Sequence, residues 1–99
     1  MNDPARILVA DDNAASREIL IKRLQPHGYE LLQASDGEEA LASAKQNLPD
    51  LILLDVTMPK LDGFEVCRQL KNDSTLPLIP IILVTARAAV QGAGRSYRS

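Results

Sequence analysis

The chain has 99 residues, 45% of them hydrophobic, a formal net charge of −2 and no tryptophan. This length and composition predict one small globular domain, near the lower size limit for a self-sufficient core. The sequence has no polybasic run with interleaved aromatic residues, which argues against nucleic-acid binding. Its longest apolar stretch, around residues 76–84, is shorter than a membrane span and is interrupted by Pro77 and Pro80. Because the N-terminus also lacks a signal-peptide pattern, we expect a cytoplasmic protein without membrane contact.

Strands and helices alternate along the first half of the chain. Residues 7–10 are continuously apolar, which predicts a buried parallel strand. Asp12 or Asn13 can cap a following helix that ends near Pro26. Residues 29–34 predict a second strand. The apolar residues at helical spacing in the first helix are Ile19, Leu20 and Leu24.

The rest of the chain repeats this alternation. Residues 35–39 supply a cap and an acidic first turn for a second helix, which ends before Pro49. Residues 51–54 predict the most apolar strand, and a third helix begins near Asp62. Residues 81–84 predict a fourth strand. The apolar residues predicted on one face of the third helix are Phe64, Cys67 and Leu70.

This order of elements predicts an α/β fold with a doubly wound parallel sheet. Right-handed crossover connections between parallel strands place helices on both faces of the sheet. Ligands of such sheets gather at the carboxyl ends of the strands. The residues that follow predicted strands, and are therefore expected to converge there, are Asp11, Asp12, Asp55 and Thr85.

Three carboxylates at one sheet edge favour a bound divalent cation. Asp11, Asp12 and Asp55 would repel one another, so the cluster either takes up protons or holds a hard cation such as Mg²⁺, the alternative that we favour. Magnesium leaves coordination positions for phosphate oxygens, and a carboxylate can act as the nucleophile in phosphoryl transfer. Asp55 is the candidate nucleophile, and Thr85 could donate its hydroxyl to a phosphoryl oxygen. Taken alone, Asp12 would be a helix cap and Thr85 an ordinary strand residue.

Four segments, ILVADDN, ASDGEEAL, PDLILLDVTMPKLDGFEV and PIILVTA, together resemble the receiver domain of a response regulator in a two-component phosphorelay. The resemblance covers residues 6–86. It implies a flavodoxin-like sheet, here truncated to four strands in the order 2-1-3-4, with three main helices. The roles that it implies are phosphoacceptor for Asp55, direct metal ligand for Asp12, water-mediated acidic partner for Asp11, metal ligand through its backbone carbonyl for Thr57, and switch hydroxyl for Thr85.

The resemblance also implies a reaction and its partners. A receiver domain takes a phosphoryl group from a phosphohistidine on a sensor histidine kinase or phosphotransfer protein, or from a small phosphodonor, with Mg²⁺ present. Hydrolysis of the acyl phosphate later resets it. The implied function is therefore that of a signalling switch, not of a conventional enzyme.

The end of the sequence departs from the family pattern. A receiver normally continues after the switch hydroxyl with a helix, a fifth strand ending in a lysine, and a final helix. Residues 87–99 read RAAVQGAGRSYRS, with three arginines, no acidic residue and no lysine. We therefore expect an incomplete receiver domain over residues 1–86, an atypical and non-native tail over residues 87–99, and impaired phosphorylation.

The missing lysine leaves a second function open, a receiver-like interaction or dimerisation module that works without phosphorylation. Loss of the fifth strand predicts an exposed apolar edge at residues 81–84, and hence a homodimer or a swapped oligomer. A third class, a phosphohydrolase with an aspartyl nucleophile, is disfavoured. Its usual second acid, two residues after the nucleophile, would fall on Thr57.

Overall fold

Strands and helices alternate through the computed structural model, which describes residues 4–56, 58 and 61–84. In chain order the elements are β1 (Arg6–Ala10), α1 (Ala14–Leu24), β2 (Glu30–Ala34), α2 (Gly37–Asn47), β3 (Leu51–Asp55), α3 (Gly63–Asn72) and β4 (Ile81–Val84). A short 3₁₀ turn at Gln25–His27 follows α1, and Gly28 ends it in the left-handed conformation, with φ 82°. Each strand and helix that the sequence predicts is present.

The strands form one parallel sheet in the order β2-β1-β3-β4. β1 lies between two neighbours, since Ala10 is paired with Ala34 of β2 and with Leu54 of β3. On the far side of β3, Asp55 is paired with Val84 of β4. This order confirms the predicted flavodoxin-like arrangement. Because all four strands run in the same direction, their carboxyl ends share one edge of the sheet.

Apolar side chains cover both faces of the sheet. On one face, Leu8, Ile52 and Leu54 belong to a core shared with α2 and α3. On the other face, Ile7 and Val9 belong to a core shared with α1. Successive residues of β1 thus alternate between the two cores. Burial of each large apolar side chain contributes about 1.5–3 kcal/mol, which makes this central strand the anchor for the loop that follows it.

Each of the three helices begins at a side-chain cap. The cap oxygens and the backbone amides that donate to them are Asn13 with Ser16 at 3.0 Å, Asp36 with Glu39 at 2.8 Å, and Asp62 with Glu65 at 2.9 Å. A cap of this kind typically stabilises a helix by about 1 kcal/mol. The sequence allowed Asp12 or Asn13 as the first cap, and the structure assigns this role to Asn13.

The buried faces of α1 and α3 agree with the prediction in part, since Leu20, Leu24 and Leu70 pack in the cores as expected. Ile19 and Phe64 were expected on the inner faces, yet their side chains are 56% and 61% exposed. Ile21 and Val66 also face the sheet, and both are buried. Cys67 is only partly buried. Both helices carry more apolar residues than the sheet covers, so spacing alone does not decide which of them are buried, whereas contact with the sheet does.

No helix in the described ranges combines the length and apolar character that a membrane crossing needs. The residues after Val84 lie outside the described part of the chain. The division into a domain over residues 1–86 and a tail over residues 87–99 therefore stays a prediction.

Candidate metal centre

Three aspartates converge at the carboxyl edge of the sheet. β1 and β3 are neighbouring strands with Ala10 paired to Leu54, so the residues that follow them come together. One carboxylate oxygen from each of Asp11, Asp12 and Asp55 lies within 4.8 Å of the other two. Asp11 is buried, Asp55 is half-buried and Asp12 is exposed. The cluster therefore extends from the protein interior, at Asp11, to the solvent-exposed surface, at Asp12.

Asp11 is fixed through both its backbone and its side chain. Its N–H donates to the carbonyl of Ala34 at 3.0 Å, which extends the pairing of β1 with β2 by one residue. Its Oδ1 accepts from the N–H of Asn13 at 2.9 Å, and its own carbonyl accepts from Nη1 of Arg17 at 2.7 Å. These contacts place the carboxylate of Asp11 at the start of the loop before α1, next to Asp12.

The start of α3 lies directly against the backbone of Asp55. A Cβ atom at Gly63 would lie 2.6 Å from the carbonyl oxygen of Asp55 and 2.9 Å from Cα of Val56. Real Cβ atoms do not approach so closely, so this position admits only glycine without a backbone shift. The N–H of Gly63 also donates to the carbonyl of Val56 at 2.9 Å. The end of β3 is thereby held against the first turn of α3.

A further acidic group near this edge is held in its charged form. Glu39 lies in the first turn of α2, and its Oε1 accepts from the N–H of Ser35 at 2.7 Å and from the hydroxyl of Ser35 at 2.9 Å. These two hydrogen bonds lower the pKa of the Glu39 carboxyl below its ordinary value, and the charge of Arg17 adds a smaller effect in the same direction.

The donor set suits a hard divalent cation. Carboxylate oxygens are ligands that Mg²⁺ prefers, and this ion usually keeps several waters, which the exposed side of the cluster accommodates. The cation would also offset the repulsion among Asp11, Asp12 and Asp55. The roles of these three residues as ligands stay predictions. Sequence reasoning missed Arg17, because no motif marks an arginine whose partner is a backbone carbonyl.

Two predicted site residues lie outside the described part of the chain. They are Thr57, expected to offer its backbone carbonyl to the metal, and Thr85, expected to be the switch hydroxyl. Both roles stay predictions.

Comparison with known proteins agrees with this fold and this acidic edge. A family profile described as the response regulator receiver domain matches residues 7–98. This chain belongs to the response-regulator receiver family. The receiver fold is also shared with solved structures. This chain is similar to the chemotaxis response regulator CheY4 of Vibrio cholerae, with 37% identity and a TM-score of 0.76. The similarity covers 82% of this chain and 68% of the CheY4 chain.

Other relatives place the same domain within longer proteins. The chain is 54% identical over 82 residues to the response regulator PleD of Caulobacter vibrioides, covering 83% of this chain and 18% of that protein. It is 48% identical over 89 residues to the probable transcriptional regulator ycf27 of Porphyra purpurea, covering 90% of this chain and 35% of that protein. The chain thus spans about a fifth to a third of the length of these curated relatives.

Family membership defines the general role of this domain. Receiver domains are generally signalling modules that act with histidine kinases or phosphotransfer proteins, and they bind Mg²⁺ at an acidic pocket. The cluster of Asp11, Asp12 and Asp55 provides such a group of acids in this chain.

Proposed function

We propose that this receiver domain accepts a phosphoryl group on Asp55 in a Mg²⁺-dependent reaction. The observation that carries the proposal is the approach of the Asp55 carboxylate to those of Asp11 and Asp12, within 4.8 Å, at the carboxyl edge of a receiver fold. The donor is a phosphohistidine on a partner kinase or phosphotransfer protein, or a small phosphodonor. The proposal includes a cytoplasmic location.

The chemistry required of the chain is limited to nucleophile and positioning. A carboxylate oxygen of Asp55 attacks phosphorus and forms an O–P bond, while the bond from phosphorus to the donor nitrogen or oxygen breaks and the donor keeps the electron pair. Bound Mg²⁺ supplies charge neutralisation for the transferred group. Asp11 and Asp12 would hold the ion, and Asp55, which is half-buried, would supply the nucleophilic oxygen.

The direct test is phosphorylation with a small phosphodonor. Incubation with acetyl phosphate and Mg²⁺ is expected to add one phosphoryl group, detected by intact-protein mass spectrometry as an acid-stable, base-labile adduct. Asp55→Asn should abolish the adduct, and chelation of Mg²⁺ should suppress it in the wild type. Asp50→Asn is the matched control, because Asp50 lies at the opposite end of β3 and should leave the yield unchanged. An adduct that persists in Asp55→Asn would contradict the proposal.

The family match favours this function over a module that works without phosphorylation. We propose self-association as an additional property, carried by the exposed side chains of β4. Ile82 and Leu83 are 51% and 37% exposed, although both are large and apolar. In the described residues β4 pairs with β3 and forms an edge of the sheet. An apolar edge strand can pair with the same strand of a second copy.

Light scattering coupled to size-exclusion chromatography tests this second proposal. The mass of the wild type is expected to rise with protein concentration, and Ile82→Lys should keep the chain monomeric because a charge on an edge strand opposes pairing. Lys22→Glu, at an exposed site on α1, is a charge-changing control that should leave the association intact. A wild type that stays monomeric at high concentration would exclude association through β4.

A further inference from the structure

Arg17 links three elements at the acidic edge of the sheet. It lies in the first half of α1 and is half-buried. Its Nη1 donates to the carbonyl of Asp11 at 2.7 Å, and its Nε donates to Oε1 of Gln33 at 3.0 Å. Gln33 belongs to β2, and Asp11 directly follows β1. One guanidinium therefore joins a helix to the ends of two neighbouring strands.

The carbonyl that Arg17 holds belongs to the peptide bond between Asp11 and Asp12. This peptide is planar, so fixing its oxygen fixes the orientation of the whole unit that joins the two residues. Asp11, on the amino side of this peptide, is also held by its contacts with Ala34 and Asn13. Asp12 is exposed, and its backbone is held on both sides: Arg17 contacts the carbonyl that precedes it, and the N–H of Asn13, which follows it, donates to Oδ1 of Asp11.

We propose that Arg17 is a positioning residue for the metal centre, which orients Asp11 and Asp12 through the peptide that joins them. This inference rests on the proposed Mg²⁺-binding function, and it adds a residue that makes no contact with the ion. Groups that orient metal ligands from behind commonly contribute about 10–100-fold to metal affinity. A charged donor suits this task, because charge-assisted hydrogen bonds are shorter and stronger than neutral ones.

The charge of Arg17 acts in the opposite direction. A cation near the cluster repels Mg²⁺, so removing only this charge should strengthen metal binding. The same charge also lowers the pKa of the Glu39 carboxyl, to a smaller extent than the hydrogen bonds from Ser35 do. The positioning role and the charge role thus predict opposite signs for the effect of an Arg17 substitution on Mg²⁺ affinity.

Titration calorimetry with Mg²⁺ distinguishes the two roles. Arg17→Met removes the donor and the charge, and about tenfold weaker binding is expected. Arg17→Lys keeps the charge, and hence the repulsion of Mg²⁺, but loses the planar fork that reaches both acceptors, so its affinity should fall at least as far as that of Arg17→Met. Gln33→Ala changes no charge and removes one of the two anchors of the guanidinium, so a smaller loss is expected. Arg23→Met, at an exposed position of the same helix, should bind as the wild type does.

A second readout needs no metal. The N–H of Asn13 donates to Oδ1 of Asp11, so its hydrogen exchange reports how firmly the Asp11 carboxylate is held. In metal-free protein, amide exchange at Asn13, followed by NMR, should be faster in Arg17→Met than in Arg23→Met at equal thermal stability. If Arg17→Met does not fold, Arg17→Lys and Gln33→Ala provide the same comparison.

The two readouts separate the possible failures. Tighter Mg²⁺ binding by Arg17→Met, or unchanged binding together with unchanged exchange at Asn13, would overturn the positioning role. A wild type that binds no Mg²⁺ would overturn the proposed function. In that case the exchange at Asn13 would still decide whether Arg17 holds the loop.

Discussion

Acidic side chains occur at both ends of the parallel sheet, but their surroundings differ. At the amino end, Arg6 donates from its backbone N–H to Oδ2 of Asp50 at 2.8 Å and from Nε to Glu30 at 3.2 Å. Its Nη1 reaches the carbonyl of Asn47 at 2.8 Å. These acids therefore take part in contacts that tie β1 to β2 and to the loop before β3.

At the carboxyl end, the acids face one another. The carboxylates of Asp11, Asp12 and Asp55 converge within 4.8 Å. The nearby cation of Arg17 donates to the carbonyl of Asp11 and to the side chain of Gln33. Aspartate and glutamate side chains thus connect neighbouring strands at the amino end of the sheet. At the carboxyl end the aspartates lie close to one another, and their mutual repulsion favours a bound cation. The role of an acidic residue at a strand end therefore depends on the groups that its side chain faces, not on its position at a strand end alone.

The largest expected effect concerns the space around Asp55. Gly63→Ala places a Cβ 2.6 Å from the carbonyl oxygen of Asp55, so the end of β3 or the start of α3 must shift. We expect a loss of about 1–3 kcal/mol in the free energy of unfolding, measured by urea denaturation.

The matched control is Gly28→Ala, near the amino end of β2. There a Cβ would meet no atom within 4 Å, and only the left-handed backbone, with φ 82°, opposes the change. Its expected cost is about 1–2 kcal/mol. Gly63→Ala should also weaken Mg²⁺ binding, because it displaces the backbone of Asp55, whereas Gly28→Ala should leave Mg²⁺ affinity unchanged. Equal Mg²⁺ affinities for the two variants would contradict the prediction that the space around Gly63 controls the position of Asp55.

The second prediction concerns a single charge at each end. Asp12→Asn should weaken Mg²⁺ binding by at least about tenfold, equivalent to 1.4 kcal/mol, because it removes the charge of a proposed ligand. The metal-free protein should keep its stability, since repulsion within the cluster falls. Glu30→Gln, at the amino end, should leave Mg²⁺ affinity intact. Titration calorimetry measures the Mg²⁺ affinity of both variants. A similar loss of affinity in both would indicate a general effect of net charge.

The third prediction concerns the amino end alone. Arg6→Met removes the contacts to Glu30 and to the carbonyl of Asn47, and about 1 kcal/mol of stability should be lost. The ion pair with Glu30 is about half exposed, at 47% and 48%, so part of this loss should disappear at high salt. Mg²⁺ affinity should not change. A weakened metal site in Arg6→Met would mean that the two ends are coupled.

The smallest expected effect is a pH dependence at the start of α2. The pKa of Glu39 is lowered from its ordinary value of 4.5 by hydrogen bonds from Ser35. A carboxyl with a lowered pKa in the folded state contributes stability above its unfolded value, and this contribution is lost as the pH falls through the folded value. The stability difference between wild type and Glu39→Gln should therefore be largest at neutral pH and should vanish in acid below 4.5.

Urea midpoints across a pH series measure this difference. Ser35→Ala removes the hydroxyl donor and should reduce the same pH dependence in part. A difference between wild type and Glu39→Gln that stays constant with pH would contradict the assigned cause.

The strands and the acidic edge could be predicted from the sequence because their signals are local. Residues 7–10 and 51–54 are apolar runs that stop at charged residues, and parallel topology then brings the following aspartates together. The limits of the buried helix faces could be predicted only in part. Leu20, Leu24 and Leu70 pack in the cores as expected. Ile19 and Phe64 look like inner residues by spacing but are exposed, whereas Ile21 and Val66 are buried.

The contacts of Arg17 were beyond sequence reasoning for a different reason. Its acceptors are a carbonyl six residues earlier and the side chain of Gln33 on another strand. A backbone carbonyl carries no sequence signature, since every residue has one. Contacts of this kind depend on the finished topology, in which Arg17 of α1 reaches both Asp11, after β1, and Gln33 of β2.

The register between β1 and β3 has a consequence for errors in folding. The pairing of Ala10 with Leu54 joins segments that are far apart in the sequence, and only this register brings Asp55 beside Asp11. A slip of one residue would move Asp55 by about 3.3 Å along the strand and turn its side chain to the other face of the sheet. A chain with correct secondary structure but slipped strands would therefore lack the acidic cluster. Cation binding accordingly reports whether the central strands have found their native partners.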